Sequence, residues 1–238
     1  MFVKACLNGA RRVEDHPAVP RTPDELATAA AAAAAAGAAA IHMHPRDDSG
    51  AESLDGSAIS PAVAAVKAAV GPDVGVGVST GAWFLPDPDD RLRAVATWTD
   101  LPDFASVNLH EEGAVDLARA LLDRGVGVEA GLWHAEGARV LVDSGLAHRC
   151  TRLLLEPLVQ DLTSALALTA EIEAEIAGVA LEVPRLLHGF GTTSWPIVEI
   201  ALDRGLQTRI GLEDTTVLPD GSPAVDNADL VRHALTRR

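Results

Sequence analysis

The sequence predicts an α/β protein with the architecture of a (β/α)8 TIM barrel, built as a single domain from residues 1–238. A short β-like run followed by an amphipathic helical stretch recurs eight times, with no long linker between them. Strands that alternate with helices at this spacing form parallel βαβ units, and this chain length is common for one barrel. An open eight-stranded sheet is the alternative. No Gly-x-Gly-x-x-Gly turn follows the first run, so a dinucleotide-binding fold is poorly supported.

Each apolar run is predicted as a strand, and each amphipathic stretch as the helix that follows it. The strands are Phe2–Asn8, Ala38–His44, Val74–Ser79, Phe104–Asn108, Gly127–Gly131, Arg152–Glu156, Arg185–His188 and Gln207–Gly211. The helices are Pro23–Ala36, Ile59–Val70, Asp87–Trp98, Gly113–Arg124, Ala135–Ser144, Thr163–Ile176, Trp195–Arg204 and Asn227–Thr236. The first helix has the clearest start, because Thr22 can cap it and Pro23 is favoured at its first position.

Composition and charge exclude several classes of function. The net charge of −15 argues against nucleic acid or an anionic membrane as a partner, although a local cationic site could still bind a small anion. The apolar stretch Ala27–Ile41 is too short and too rich in alanine to span a bilayer, and Met1–Lys4 leads directly into a strand. Two cysteines, Cys6 and Cys150, suit a reducing compartment. These features predict a soluble cytoplasmic protein.

The most informative motif is His42-Met43-His44-Pro45-Arg46-Asp47 at the end of the second predicted strand. Residues i and i+2 of a strand point to the same face, so the two imidazoles would project side by side. A pair of neutral imidazoles suits a divalent transition metal. The alternative is two unrelated histidines, but their position at a strand end and the Arg-Asp that follows favour metal. Arg46 is a candidate substrate-binding residue.

Polar side chains end every one of the eight predicted strands, where a TIM barrel carries its active site. A metal bound by two histidines needs a third ligand, and Glu213 after the eighth strand is the best candidate. Glu129, Glu156 and His188 are rivals for that role, and Glu156 could instead cap a loop. The strand-end residues considered are Asn8, His42, His44, Ser79, Thr80, Asn108, His110, Glu129, Glu156, His188, Arg209, Glu213 and Asp214.

Arg209 is the most interesting cation, because a guanidinium at a barrel strand end can hold a substrate carboxylate in a bidentate fork. Asp214 could orient that guanidinium or act as a general base. The alternative is an Arg–Asp ion pair that only fixes a loop. Ser79 and Thr80 supply hydroxyls, and Gly81 allows a ligand to approach the backbone closely.

Taken in order, these motifs resemble those of the β-keto acid cleavage enzymes. The resemblance covers nearly the whole chain and rests on Asn8–Ala10, Thr22–Glu25, His42–Asp47, Val78–Gly81, Ala105–Asn108, Arg209–Asp214 and Asp226–Val231. It implies a zinc-dependent barrel in a homo-oligomer, a dimer or a tetramer, that exchanges acyl groups between a β-keto acid and acetyl-CoA. The products would be acetoacetate and a new CoA thioester.

The resemblance also implies roles for individual residues. His42, His44 and Glu213 would bind Zn²⁺ or another divalent transition metal. Ser79 and Arg209 would engage the substrate, and Asp214 would assist proton removal through Arg209. Asn8, Arg46, Thr80, Gly81, Asn108, His110, Glu129, Glu156 and His188 are the further candidates for substrate binding.

The chain departs from the family pattern in three places, and two of these departures bear on the second substrate. The loop after the sixth strand reads Leu155–Gln160 instead of a glycine-rich loop, and Gly189–Thr192 lacks the arginine usual after the seventh. Arg11 replaces the usual glutamate after the first strand, with Glu14 as a displaced catalytic substitute. The metal ligands survive these changes, whereas the contacts to CoA are reduced. The sequence therefore predicts metal-assisted β-keto acid chemistry with an altered acceptor.

Other functions fit parts of the same pattern. A metal-dependent hydrolase also uses His-x-His at a strand end, but on the first strand and with further His and Asp ligands. A class II aldolase-like carbon–carbon lyase is a second alternative. A degenerate barrel that senses a ligand or serves as a scaffold is a third, and the intact candidate ligands argue against it.

Overall fold

The computed structural model describes residues 1–179 and 182–236, and it has the (β/α)8 TIM barrel fold that the sequence predicts. The strands are β1 (Val3–Cys6), β2 (Ala40–Met43), β3 (Gly75–Ser79), β4 (Phe104–Asn108), β5 (Gly127–Leu132), β6 (Arg152–Leu155), β7 (Arg185–Leu187) and β8 (Thr208–Ile210). They form one sheet in the order β7-β6-β5-β4-β3-β2-β1-β8. A parallel bridge between Leu186 of β7 and Gln207, just before β8, joins the two ends of that order.

One helix follows each strand along the chain. The helices are α1 (Pro23–Ala35), α2 (Gly56–Val70), α3 (Pro88–Ala96), α4 (Ala114–Asp123), α5 (Ala135–Ser144), α6 (Leu162–Ile176), α7 (Ser194–Asp203) and α8 (Asn227–Thr236). In the connections, short 3-10 helices span Ala147–Arg149 and Gly191–Thr193. Among the described residues, no helix has the length and apolar character needed to cross a membrane.

The predicted boundaries are confirmed to within three residues at every element. The largest difference is at α2, which begins at Gly56 instead of Ile59. The backbone N–H of Gly56 donates to Thr97 Oγ1 at 2.8 Å, and a Cβ at this position would lie 2.4 Å from the Thr97 carbonyl oxygen. Asp55, a residue type favoured at an N-cap, directly precedes this helix start, and the contact between residues 41 positions apart, which no local pattern shows, supports it.

The chain divides into two compact units, and each is described by itself. The first unit comprises Met1–Ser79, Arg93–Asp103 and residues 209–236, and it holds β1, β2, β3 and most of β8. In its parallel register Cys6 pairs with His42, and Met43 pairs with Val78. Strand residues of β1 and β2 are buried on both faces, as expected where helices cover a parallel sheet.

The second unit comprises Thr80–Leu92 and Phe104–Thr208, and it holds β4, β5, β6 and β7. Its register pairs Asn108 with Gly131 and Leu155 with Leu187. Each unit carries one cysteine: Cys6 and Cys150 are buried free thiols.

Candidate active site

Three side chains of the first unit converge in an arrangement suited to a metal ion. His42 lies within β2, His44 follows that strand, and Glu213 follows β8. The Nε2 atoms of the two histidines are 3.1 Å apart, and Glu213 Oε2 lies 3.9 Å from His42 Nε2 and 3.5 Å from His44 Nε2. In the described part of the chain, this is the one group of three His, Cys, Asp or Glu side chains whose ligand atoms come this close. The structure thus brings together the three ligands that the sequence predicts.

The chemistry of these donors fits a divalent transition metal. Tetrahedral zinc with bonds of about 2.0–2.1 Å separates its ligand atoms by about 3.3 Å, which matches the observed distances of 3.1–3.9 Å. Burial lowers the pKa of His42 well below its usual range, which keeps its imidazole neutral and able to donate a lone pair. Two imidazoles and one carboxylate leave coordination positions for substrate or water.

Asn8 and Gly9, which follow β1, position two of the candidate ligands, His44 and Glu213. The Asn8 side chain donates to the His44 carbonyl oxygen at 2.9 Å and accepts from the His44 N–H at 2.9 Å. Its amide therefore fixes the backbone of a ligand. Gly9 has a φ of +54°, and a Cβ there would lie 2.5 Å from Glu213 Cγ. Only glycine leaves room for the Glu213 side chain at this point.

Arg209 on β8 contacts two carboxylates that follow it in the chain. Its Nη2 donates to Glu213 Oε1 at 2.8 Å and to Asp214 Oδ1 at 2.7 Å, and its Nε donates to the same Asp214 oxygen at 3.2 Å. Arg209 and Asp214 are both buried. The Arg209–Asp214 pair predicted from the sequence is therefore present, and it also orients the candidate ligand Glu213.

Ser79 ends β3 in the same unit. The register pairs Met43 with Val78, so His44 and Ser79 are the next residues along two neighbouring strands. Ser79 is buried, as is Thr80 after it. Thr80, which belongs to the second unit, donates its hydroxyl to the Ser106 carbonyl oxygen at 2.7 Å, and a Cβ on Gly81 would meet the Trp83 ring.

Two predicted residues have other surroundings. The Arg46 guanidinium donates to the backbone carbonyls of Gly9, Arg11 and Gly50, so it fastens loops together. Glu14 is exposed. Their predicted roles in substrate binding and catalysis stay predictions.

The second unit has its own cluster of polar side chains after its strands. His188 Nε2 lies 3.1 Å from Glu156 Oε2, and both residues are buried. Asn108 donates to Glu111 Oε1 at 2.8 Å, and Glu111 also accepts from Arg91 at 2.8 Å. In this cluster the carboxylates are hydrogen-bonded to cationic or neutral donors.

Glu129 and His110, also in the second unit, have different neighbours. Glu129 is fully buried within β5 and forms an ion pair with Arg152 of β6. The ring of His110 lies 4.6 Å from that of Trp133 and 5.1 Å from that of His134, measured between centroids. The guanidinium of Arg152 thus balances the negative charge of Glu129.

Sequence reasoning missed four residues that matter here. Glu52 contacts His44, Gly9 makes room for Glu213, and Arg91 and Glu111 form a buried ion pair beside Asn108. The turn-forming run Asp47-Asp48-Ser49-Gly50 after His44 was a usable signal, because a tight turn would return the chain towards the histidine. Gly9 lies within the Asn8–Ala10 motif that supports the family resemblance, whereas no local pattern marked Arg91 or Glu111.

A TIM barrel with two histidines and a carboxylate gathered at the ends of its strands has a candidate metal site at the end of the fold where barrel enzymes carry their active sites. Comparison with known proteins gives the family. The family model described as beta-keto acid cleavage enzyme matches residues 1–237. The chain belongs to this family and is an enzyme that breaks a carbon–carbon bond.

Two curated relatives have the same name, 3-keto-5-aminohexanoate cleavage enzyme. The protein from Fusobacterium nucleatum is 23% identical over 250 residues, which cover 99% of this chain and 90% of the relative. The protein from Acetoanaerobium sticklandii is 24% identical over 250 residues, which cover 97% of this chain and 89% of the relative.

Solved structures share the fold at lower identity. The binary complex of ObcA with oxaloacetate matches with a TM-score of 0.68 and 18% identity over 91% of this chain. This chain spans 62% of the ObcA chain. A 3-dehydroquinate dehydratase from Geobacillus kaustophilus matches with a TM-score of 0.63 and 11% identity, over 98% of this chain and 90% of its own.

Proposed function

We propose that this protein cleaves a β-keto acid in a zinc-dependent reaction that exchanges acyl groups with acetyl-CoA. The products are acetoacetate and a new acyl-CoA. The observation that carries the proposal is the convergence of His42, His44 and Glu213 in a chain of this family. Zinc is the proposed ion because two imidazoles and a carboxylate suit it, and another divalent transition metal would serve the same chemistry.

When bound, the metal supplies the Lewis acid that stabilises negative charge on the keto oxygen while the neighbouring carbon–carbon bond breaks. Arg209 binds the substrate carboxylate, and Ser79 engages the same substrate from the end of β3. Asp214 orients the guanidinium through its contacts of 2.7 and 3.2 Å and assists proton removal through it. Recognition of both the keto oxygen and the carboxylate selects β-keto acids over simple ketones.

The acceptor is the second part of the proposal. One ObcA structure is described as a ternary complex with a C4-CoA adduct and oxalate, and this binding of a CoA derivative by a protein of the same fold supports the proposed acceptor. In this chain the loops after β6 and β7 bind each other: Gln160 accepts from the Thr192 N–H at 2.9 Å and donates to the Phe190 carbonyl oxygen at 2.9 Å. Since the loop after β6 lacks the family's usual glycines and the loop after β7 lacks its usual arginine, the acceptor step is tested separately from cleavage.

Further proposals concern the remaining predicted residues and the state of the protein. Asn108, His110, Glu156 and His188 are proposed to contact the substrate. We also propose that the chain is one domain, which predicts a single cooperative unfolding transition. A homo-oligomer in the cytoplasm is the proposed assembly and location, to be checked by light scattering and by cell fractionation.

The test is a coupled assay of the purified enzyme with a panel of β-keto acids, with and without acetyl-CoA. Mass spectrometry detects acetoacetate and the acyl-CoA product. We expect turnover that requires zinc and that is lost after treatment with a chelator and restored by added Zn²⁺. Glu213→Gln is the matched variant, because it keeps the side-chain size while removing the anionic ligand.

The outcomes separate the two parts of the proposal. Acetoacetate and acyl-CoA formed only with both substrates support acyl exchange. Cleavage that proceeds equally well without acetyl-CoA contradicts the acceptor and leaves the metal-assisted cleavage standing. No turnover of any β-keto acid by zinc-loaded protein, with or without acetyl-CoA, contradicts the function itself.

A further inference from the structure

We propose that Glu52 is a positioning residue that fixes the ring orientation and tautomer of the metal ligand His44 and so strengthens metal binding. This inference rests on the proposed metal-dependent function. It assigns a role to the loop after β2, residues 45–53, which lies beyond the ligand set itself.

The central contact joins His44 Nδ1 and Glu52 Oε2 at 2.6 Å. The two side chains are only 6% and 10% exposed, so water screens the interaction weakly. A carboxylate can only accept, which places the His44 proton on Nδ1. The lone pair is then on Nε2, the atom that faces His42 and Glu213 at 3.1 and 3.5 Å.

The loop that delivers Glu52 is held by its own hydrogen bonds. The Ser53 N–H donates to the Pro45 carbonyl oxygen at 3.1 Å, and the Asp47 N–H donates to that of Ala51 at 2.9 Å. The Asp47 carboxylate accepts from the Ser49 N–H at 2.8 Å and tightens the turn. An antiparallel bridge pairs Glu52 with Arg46, two residues after His44.

Arg46 ties this loop to the segment after β1. Its Nη1 donates to the Gly50 carbonyl oxygen at 3.1 Å, and its Nη2 donates to those of Gly9 and Arg11 at 3.1 and 2.5 Å. The loop is therefore braced from both sides of His44, because Asn8 holds the histidine backbone as well. Glu52 therefore reaches the ring from a loop that is held by hydrogen bonds on both sides of it.

The other histidine ligand has no equivalent support. His42 Nδ1 is buried and has no hydrogen-bond partner among the described residues. A carboxylate that receives the second N–H of a ligating imidazole makes the ring a better electron donor and preorganises it. Glu52 should therefore act on one ligand of the pair, and its loss should weaken metal binding by about 10- to 100-fold.

The experiment compares Glu52→Ala and Glu52→Gln with the unaltered protein, using metal affinity from competition with a chromogenic chelator. The absorption spectrum of the Co²⁺-loaded protein reports ligand geometry without any need for turnover. Glu52→Gln can still accept the Nδ1 hydrogen bond, so we expect an affinity between those of the unaltered protein and Glu52→Ala. Asp48→Asn is the matched control, because it removes one carboxylate from the exposed tip of the same loop.

A 10- to 100-fold weaker affinity in Glu52→Ala, partial rescue in Glu52→Gln and no change in Asp48→Asn support the proposal. Unchanged affinity in Glu52→Ala overturns it, as does equal weakening in Asp48→Asn, and so does protein that binds no metal. If Glu52→Ala does not fold, wild-type affinity and an unaltered Co²⁺ spectrum in Glu52→Gln overturn it. Metal binding that depends on Glu52 in a protein without β-keto acid turnover would contradict the proposed function alone.

Discussion

Each of the two units gathers histidine and glutamate side chains after its parallel strands, but the two clusters differ in how their charges are matched. In the first unit, Glu213 Oε2 lies 3.5 and 3.9 Å from the two imidazole nitrogens, beyond the usual length of a hydrogen bond. In the second unit, Glu156 and His188 lie 3.1 Å apart and form a direct hydrogen bond. The first arrangement suits a cation placed between the groups, whereas the second is a matched pair.

The difference shows that residue types at a strand end do not by themselves define a metal site. Two imidazoles whose Nε2 atoms lie 3.1 Å apart beside a carboxylate can hold a cation between them, whereas a single imidazole hydrogen-bonded to a carboxylate does not offer three such donors. Buried ion pairs complete the second cluster: Arg91 binds Glu111 there, and Arg152 binds Glu129. The comparison predicts that changes in the first unit act on the metal, and changes in the second act on stability or on the substrate.

The largest expected effect distinguishes His42 in the first unit from His188 in the second, two buried histidines. His42→Ala should abolish metal binding and lower kcat/KM by about 1000-fold, since Lewis-acid stabilisation of several kcal/mol is lost. His188→Ala should retain one metal ion per chain. Metal content by mass spectrometry checks both. Equal loss of metal from the two variants would remove the distinction between the clusters.

The second prediction concerns the ion pair inside the second unit. Glu129→Ala leaves the Arg152 guanidinium buried without its carboxylate, so the free energy of unfolding should fall by about 3–5 kcal/mol. Urea denaturation measures the change. The double variant Glu129→Leu with Arg152→Met should recover most of the loss, and metal stoichiometry should be unchanged in both. A decrease below about 1 kcal/mol in the single variant would contradict a structural role.

The smallest expected effect comes from replacing Gly9 or Gly131, two glycines that each lie against side chains of one cluster. A Cβ on Gly9 would lie 2.5 Å from Glu213 Cγ, and a Cβ on Gly131 would lie 2.5 Å from Asn108 Oδ1 and 3.0 Å from Glu156 Oε1. Gly9→Ala displaces a ligand and should weaken metal binding by about 10- to 100-fold, within the range for disturbed ligand support. Gly131→Ala should change KM or kcat with metal affinity unchanged. Titration with Zn²⁺ and steady-state kinetics distinguish the two.

Much of this architecture could be predicted from the sequence, because periodicity and strand-end chemistry are local signals. The alternation of strands and helices was visible in the pattern, and His42 and His44 share a face for the same local reason. Glu213 was harder, since it joins the histidines only when β8 lies beside β1. The family motifs also supported it.

What could not be predicted depends on contacts between distant residues. Glu129 and Glu156 were equivalent strand-end carboxylates in the sequence, and only the register of β5 with β6 shows that Arg152 neutralises the first. Arg46 was a candidate for substrate binding, yet its guanidinium meets three backbone carbonyls of nearby loops. The partners of a charged side chain are set by tertiary packing, which a string of residues does not reveal.

The most direct measurement is X-ray diffraction from crystals of the zinc-loaded protein, with anomalous data collected on both sides of the zinc absorption edge. The account predicts one anomalous peak per chain, about 2.0–2.2 Å from Nε2 of His42, Nε2 of His44 and a carboxylate oxygen of Glu213. A peak bound instead by Glu156 and His188, or no ordered zinc near the two histidines, would contradict it.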